Sequence, residues 1–190
     1  MADVFLTPEF RAAFISVFKA TSQKNVDGTV NKAKYSVRAM FPPDTDLTLL
    51  KAKAKEAAEE KWGSAIPKNL RSPFRTNSQL DKPVQGLGDD WIVVTFSSSE
   101  DRRKPGLVDS ENQDIINEAD VYSGAWYRVQ CNAYGYEMSG NRGISFGLEN
   151  VQKMRDDEPL GGGRMPANKA FAPVGDPKKA ISKDDDIFAM

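Results

Sequence analysis

Between Val121 and Met138 the chain reads VYSGAWYRVQCNAYGYEM, and its side chains change character at every second residue. Val121, Ala125, Val129, Cys131 and Ala133 fall in one set, small and apolar. Tyr122, Gly124, Trp126, Arg128, Gln130, Asn132, Tyr134 and Tyr136 fall in the other. A helix would scatter the two sets around its circumference, whereas an extended strand sorts them onto opposite faces. So long an alternation commits the chain to a sheet with one face on a core. The second face carries four rings among Arg128, Gln130 and Asn132. A surface meant only for water would hold fewer rings, and a core would not hold an arginine. The mixture suits unpaired bases stacking on rings while long polar side chains reach backbone and base edges. An unevenly buried barrel, its aromatics filling a second small core, would produce the same pattern.

The rest of the chain agrees with a mainly β fold. KYSVRAMF alternates as well, with Tyr35, Val37, Ala39 and Phe41 on one face and Lys34, Ser36 and Arg38 opposite. Before it, Asp27-Gly28 between β-branched residues is a hairpin signal. In TPEFRAAFISVFKA, Phe10, Phe14 and Phe18 suit one side of a helix or one face of a strand. The following hairpin favours the strand, so this region reads as two strands joined by a mobile hairpin loop. PPDTDLTLLKAKAKEAAEEKWG then predicts a helix with an Asp or Thr cap, Gly63 after it, and Leu47, Leu50, Ala54, Ala57 and Ala58 as its buried stripe. Lys51, Lys53 and Lys55 on that helix suit a solvated face or phosphate contacts.

From Ile66 to Asp90 runs a long loop, followed by the short apolar strand WIVVTF. Loops of this length tend to be functional or disordered. This one holds NLRSPFR, where Arg71 and Arg75 bracket Phe74: a base-stacking ring between phosphate-holding cations, or a surface loop pinned by one buried Phe. DRRKPG adds three adjacent cations on a turn. GNRGISFGLENVQKM reads as a turn and a last strand, with Gly143 and Gly147 allowing curvature or close approach of another backbone. Beyond Pro159 the composition is that of a linker.

Composition narrows the chemistry. With no histidine, Ser-His and Cys-His nucleophile pairs and the commonest metal ligand are excluded. The one cysteine, Cys131, cannot form an internal disulfide, and the N-terminus lacks a secretory signal, which predicts an intracellular protein. No apolar stretch approaches the roughly 20 residues that span a bilayer. Net charge is −1, and with Asp184, Asp185 and Asp186 set aside it is +2, from 26 basic against 24 acidic residues. Any nucleic-acid site must therefore be local.

KYSVRAMFP, RKPGLVD, YSGAWYRVQCNAYGY and above all GISFGLENVQKMRDDEPLGG resemble the phage single-stranded DNA-binding proteins long catalogued as a domain of unknown function. The resemblance runs from about Phe10 to Gly163. It implies an oligonucleotide/oligosaccharide-binding (OB) fold, a curved five-stranded barrel with an inserted helix, that binds single-stranded DNA without sequence preference. It also implies no catalysis, no cofactor and no metal, and places the protein in the cytoplasm of an infected bacterium. The expected organisation is a binding domain over 1–158, a flexible linker over 159–183 and an acidic-apolar tip over 184–190, the latter two forming a disordered tail. The candidate nucleic-acid contacts are Lys34, Arg38, Arg71, Phe74, Arg75, Tyr122, Trp126, Arg128, Tyr134 and Tyr136. The segment Asp184, Asp185, Asp186, Ile187, Phe188 is similar to the acidic tips of bacterial and phage single-stranded DNA-binding proteins. That likeness implies recruitment of replication or recombination partners and competition with DNA for the groove. Ala189 and Met190 follow Phe188, where the best-known bacterial tip ends in Pro-Phe. Oligomeric state stays open.

Two other classes compete. Pro43-Asp44 with Glu59-Glu60-Lys61 superficially fits a metal-dependent nuclease, although Glu59 and Lys61 on one helix point to different sides. An OB-type protein-interaction module without nucleic-acid binding is the other.

Overall fold

The computed structural model describes residues 3–160, together with 170, 171 and 174. Most of the expected linker, and all of the tip from Asp184 to Phe188, lie outside them.

Eight strands, one α-helix and two short 3-10 turns follow the order β1 (Phe5–Leu6), β2 (Phe10–Thr21), β3 (Lys34–Phe41), α1 (Thr48–Trp62), β4 (Arg75–Thr76), β5 (Ile92–Ser99), β6 (Gly106–Val108), β7 (Trp126–Met138) and β8 (Asn141–Arg155). β2 pairs with β3, β3 with β5, β5 with β8, β8 with β7, and β7 again with β2. The five long strands thus close into a ring in which only β5–β8 is parallel. This is the OB arrangement. β1, β4 and β6 are short additions along β7, β5 and β8.

Inside the ring, Phe10 packs edge-on to Phe41 at 5.4 Å and beside Phe96 at 6.1 Å, and Phe96 meets Phe146 at 5.5 Å. Val37, Val94, Tyr127, Val129 and Cys131 complete this core. Burial pushes the Cys131 thiol up to about 12, so it behaves as a small apolar side chain. The helix buries the predicted stripe, Leu47, Leu50, Ala54, Ala57 and Ala58, against the ring. Its cap differs from the expectation. Leu47 occupies the cap position, and the Asp46 carboxylate one residue earlier accepts the Thr48 amide at 2.9 Å. Lys53 pairs with Asp3 and Glu56, both at 2.9 Å, which makes it a structural cation.

The N-terminal segment is a strand, but Phe10, Phe14 and Phe18 do not share a face. The β2–β3 register shifts between Ala12 and Phe14. The extra residue reverses the alternation: Phe10 is fully buried, whereas Phe14 lies outside, 60% exposed, opposite Arg38. The alternating run from Val121 is likewise shorter as a strand than expected. Gly124 adopts φ +115°, and a Cβ there would collide with the Glu158 carbonyl and the Leu160 amide nitrogen, so β7 begins only at Trp126 and Tyr122 lies before it. The last turn is Ser139-Gly140, both at positive φ, one step earlier than GNRG suggested.

The long loop is ordered around a buried asparagine. Asn77 Nδ2 donates to the carbonyls of Val84, Leu87 and Gly88, while its Oδ1 accepts the Val84 amide at 2.8 Å. This folds Leu80, Val84, Leu87 and Trp91 over Ala13, Met40 and Val93, a second small core on the outer face of the sheet.

Candidate nucleic-acid interface

Across β3 and β5 the register sets Lys34 opposite Ser99, Ser36 opposite Ser97 and Arg38 opposite Thr95. Directly opposed residues share a face, so this outward surface is polar where the inward one is Val37, Ala39, Val94 and Phe96. It continues across Ser97↔Gly147 to β8, then to β7 through Gly147↔Asn132, Ser145↔Tyr134 and Gly143↔Tyr136. Three depressions cover this face and overlap. The first is lined by Arg38, Arg71, Arg75, Thr95 and Tyr136, the second by Lys34, Ser36, Thr95, Ser97 and Met138, and the third by Lys34, Ser97, Arg102, Asn132 and Tyr134. Shared Thr95, Lys34 and Ser97 make them one continuous groove. It lies on the surface with which OB folds grip oligonucleotides, the face of their second and third strands.

Each wall has a local cause. Arg71 is tied to β8 by its amide to the Arg142 carbonyl at 2.9 Å and by Ile144 N–H to its own carbonyl at 3.3 Å. Phe74 inserts between Arg71 and Arg75 and meets Phe146 edge-on at 5.9 Å, so it pins the loop from within. β4 then holds Arg75 against Val93. Gly143 and Gly147 are required here: a Cβ on the first would lie 2.7 Å from the Tyr136 hydroxyl oxygen, and one on the second would collide with Asn132 Oδ1. Their missing side chains let Tyr136 and Asn132 lie down over β8.

The groove is electropositive. Among the described residues, Lys34, Arg38, Arg71, Arg75 and Arg102 have no carboxylate within salt-bridge distance, in contrast to Arg11, Arg142, Lys153 and Arg155. Burial, and after it the like charge of Arg75, lowers the Arg38 guanidinium from its ordinary value. Arg38 also stacks 5.0 Å over the Phe14 ring. A cluster of like charges left without counter-ions is arranged for an anion.

The structure therefore brings together Lys34, Arg38, Arg71, Arg75, Tyr134 and Tyr136. It adds Phe14 and Arg102, the first missed because the bulge that exposes it leaves no mark in the sequence. The remaining candidates lie elsewhere. Arg128 donates to Gln152 Oε1 at 2.7 Å beside Leu6 and Val108. The Trp126 ring lies under Arg155 at 4.2 Å and its Nε1 donates to Asp157 at 2.8 Å, an interaction that holds the Asp157 carboxyl below its ordinary value. Tyr122 donates to Asp156 at 2.7 Å, and burial, with that carboxylate next, raises its phenol to about 12. These two rings anchor the segment after β8. They share sequence parity with Tyr134 and Tyr136, but a strand that follows a closed ring turns its outward face as it goes. Asp44 lies in the turn after β3 and Glu59 near the end of α1. Among the described residues no three carboxylate or thiol groups converge as metal ligands. Nor is any described helix long and apolar enough to cross a membrane.

The model of a family described as the single-stranded DNA-binding protein of Enterobacter phage Enc34 matches residues 3–187. The fold is similar to the single-stranded DNA-binding protein from bacteriophage Enc34, at 19% identity and TM-score 0.65 over 88% of this chain and 89% of that one. The same phage protein in complex with single-stranded DNA gives 18% identity and TM-score 0.64 over 83% and 89%. Gp2.5, a single-stranded DNA-binding protein encoded by bacteriophage T7, gives 15% and 0.63 over 82% and 93%. A sequence comparison with curated proteins finds no significant match.

Proposed function

The chain belongs to the Enc34-type family of phage single-stranded DNA-binding proteins, and from that premise we propose that it binds single-stranded DNA along the groove just described. The observation that carries this reading is the run of unpaired cations, Lys34, Arg38, Arg71, Arg75 and Arg102, interleaved with Phe14, Tyr134 and Tyr136 on one continuous face. Cations hold phosphates at any sequence, and every base has a face to stack. Binding is the whole activity; no reaction is required of these residues. The biological setting is phage DNA replication or recombination in the cytoplasm of the infected host.

Titration with oligo-dT, followed by tryptophan fluorescence, tests the reading. Tyr134→Ala and Tyr136→Ala should each weaken binding by about 1–3 kcal/mol with the thermal midpoint nearly unchanged. Trp126→Ala should lower the midpoint and leave affinity close to the parent. The reverse pattern would place the DNA at the other end of β7, and no salt-sensitive binding at all would favour the protein-interaction module.

The acidic-apolar segment completes the proposal. Asp184, Asp185 and Asp186 imitate a short run of phosphates and, on some 25 linker residues, reach the basic groove at high effective concentration. DNA displaces them, which frees Ile187 and Phe188 for an apolar pocket on a replication or recombination protein. Deleting Asp184 to Met190 should tighten oligo-dT binding, most at low salt where the competition is least screened. Replacing only Ile187 and Phe188 with Ala should spare DNA affinity and abolish capture of those partners. Weaker DNA binding after truncation would contradict the competition.

A further inference from the structure

Asn132 lies on the groove floor beside Tyr134, Lys34, Arg102 and Ser97. Its Oδ1 is turned down onto Gly147, where it is closed to solvent and without a hydrogen-bond partner. Among the described residues it is the one buried side-chain polar atom in that condition. A buried acceptor left unpaired is costly, and the great majority of such atoms in folded proteins find a donor. The glycine at 147 makes the arrangement sterically allowed, since any Cβ there would force the amide away. With the oxygen shut off and no bond made by Nδ2 among the described residues, the amide offers the groove its N–H donors. Of the charged side chains that line the same depression, Lys34 and Arg102 only donate, and Glu149 is the one carboxylate acceptor.

We infer that Asn132, with Tyr134 as its stacking partner, forms a base subsite that prefers keto bases over amino bases. This rests on the single-strand reading above and adds to it a modest preference superimposed on sequence-tolerant binding. A base laid on the Tyr134 ring brings its edge within reach of the donors at the groove floor. Thymine, uracil and guanine present a carbonyl oxygen where cytosine and adenine present an exocyclic amine. A carbonyl accepts from Asn132 Nδ2, whereas an amine set against that amide meets donor against donor and forgoes the bond.

Oligo-dU and oligo-dC of equal length provide the test, since they differ only on the Watson–Crick edge and neither carries the thymine methyl. The parent protein should bind oligo-dU about three- to tenfold more tightly than oligo-dC at one salt concentration, the worth of roughly one hydrogen bond. Asn132→Ala should bring the ratio to within about twofold of unity, with a thermal midpoint equal to or above the parent's because an orphaned acceptor is removed. Asn132→Asp, which offers an acceptor to the groove, should turn the ratio towards oligo-dC even though its charge lowers both affinities. Equal affinities in the parent, or an unchanged ratio in Asn132→Ala, would overturn the subsite while leaving single-strand binding in place. Binding of neither oligonucleotide would overturn the single-strand reading itself and the subsite with it.

Discussion

Replacing Arg38, Arg71 and Arg75 together with glutamine is expected to lower affinity for oligo-dT by about a hundred- to a thousandfold at 50 mM salt. Each phosphate neutralised by a cation contributes about −0.7 to the slope of log affinity against log salt for single strands. Losing three contacts should flatten that slope by about 2, and the gap between variant and parent should narrow as salt rises. The three guanidiniums lie in one depression with Tyr136 and have no carboxylate partner among the described residues. Burial and mutual repulsion already disfavour the charge on Arg38, so the folded state should lose little by their removal. Arg128→Gln is the matched control: its guanidinium bonds Gln152 away from the groove, and affinity should stay within about twofold of the parent. Equal losses from the control and from single groove arginines would mean that general charge, and not this groove, attracts the DNA.

The second large effect concerns stability. Phe146 is fully buried and touches Phe5 at 6.3 Å, Phe74 at 5.9 Å and Phe96 at 5.5 Å. Phe146→Ala removes the ring on which three others lean, and should cost about 3–5 kcal/mol, read as a lower denaturant midpoint at unchanged m-value. Because Phe74 carries the loop that presents Arg71 and Arg75, the same cavity loosens one wall of the groove. Binding by the folded fraction should therefore weaken too, by less than in the triple arginine variant. A loss of stability below about 1 kcal/mol would mean that the Phe cluster is not the common centre of ring and loop.

How much of this was legible beforehand depends on the range over which each feature is determined. The helix stripe, the hairpin at Asp27-Gly28 and the sorted faces of Lys34–Phe41 are local and periodic, and all appear as expected. The exposure of Phe14 is not local. It depends on one extra residue in the pairing of β2 with β3, and nothing in FRAAFISVF distinguishes a bulged strand from a regular one. Parity alone groups Tyr122, Trp126 and Arg128 with Tyr134 and Tyr136. Parity gives the side of a strand, but which neighbours face that side depends on ring closure and on Gly124, where the chain turns before β7. The loop after Phe74 resembled a binding or disordered segment because its stabilising contact is a single side chain, Asn77, bonded to backbone groups up to eleven residues away. Unpaired cations are a property of the assembled surface, and no count of lysines and arginines separates Arg38 from Arg155.

The central claim is that DNA lies along β3, β5 and the distal half of β7. Photo-cross-linking with an oligo-dT carrying 5-iodouracil at scattered positions, followed by tryptic digestion and mass spectrometry, tests it directly. Cleavage after Arg128 separates Trp126 from the peptide that holds Tyr134 and Tyr136, and cleavage after Arg11 and Lys19 releases a peptide with Phe14 and Phe18, which fragmentation tells apart. Cross-links are expected on Phe14, Tyr134 and Tyr136. Cross-links confined to Tyr122 and Trp126, or to α1, would contradict the claim.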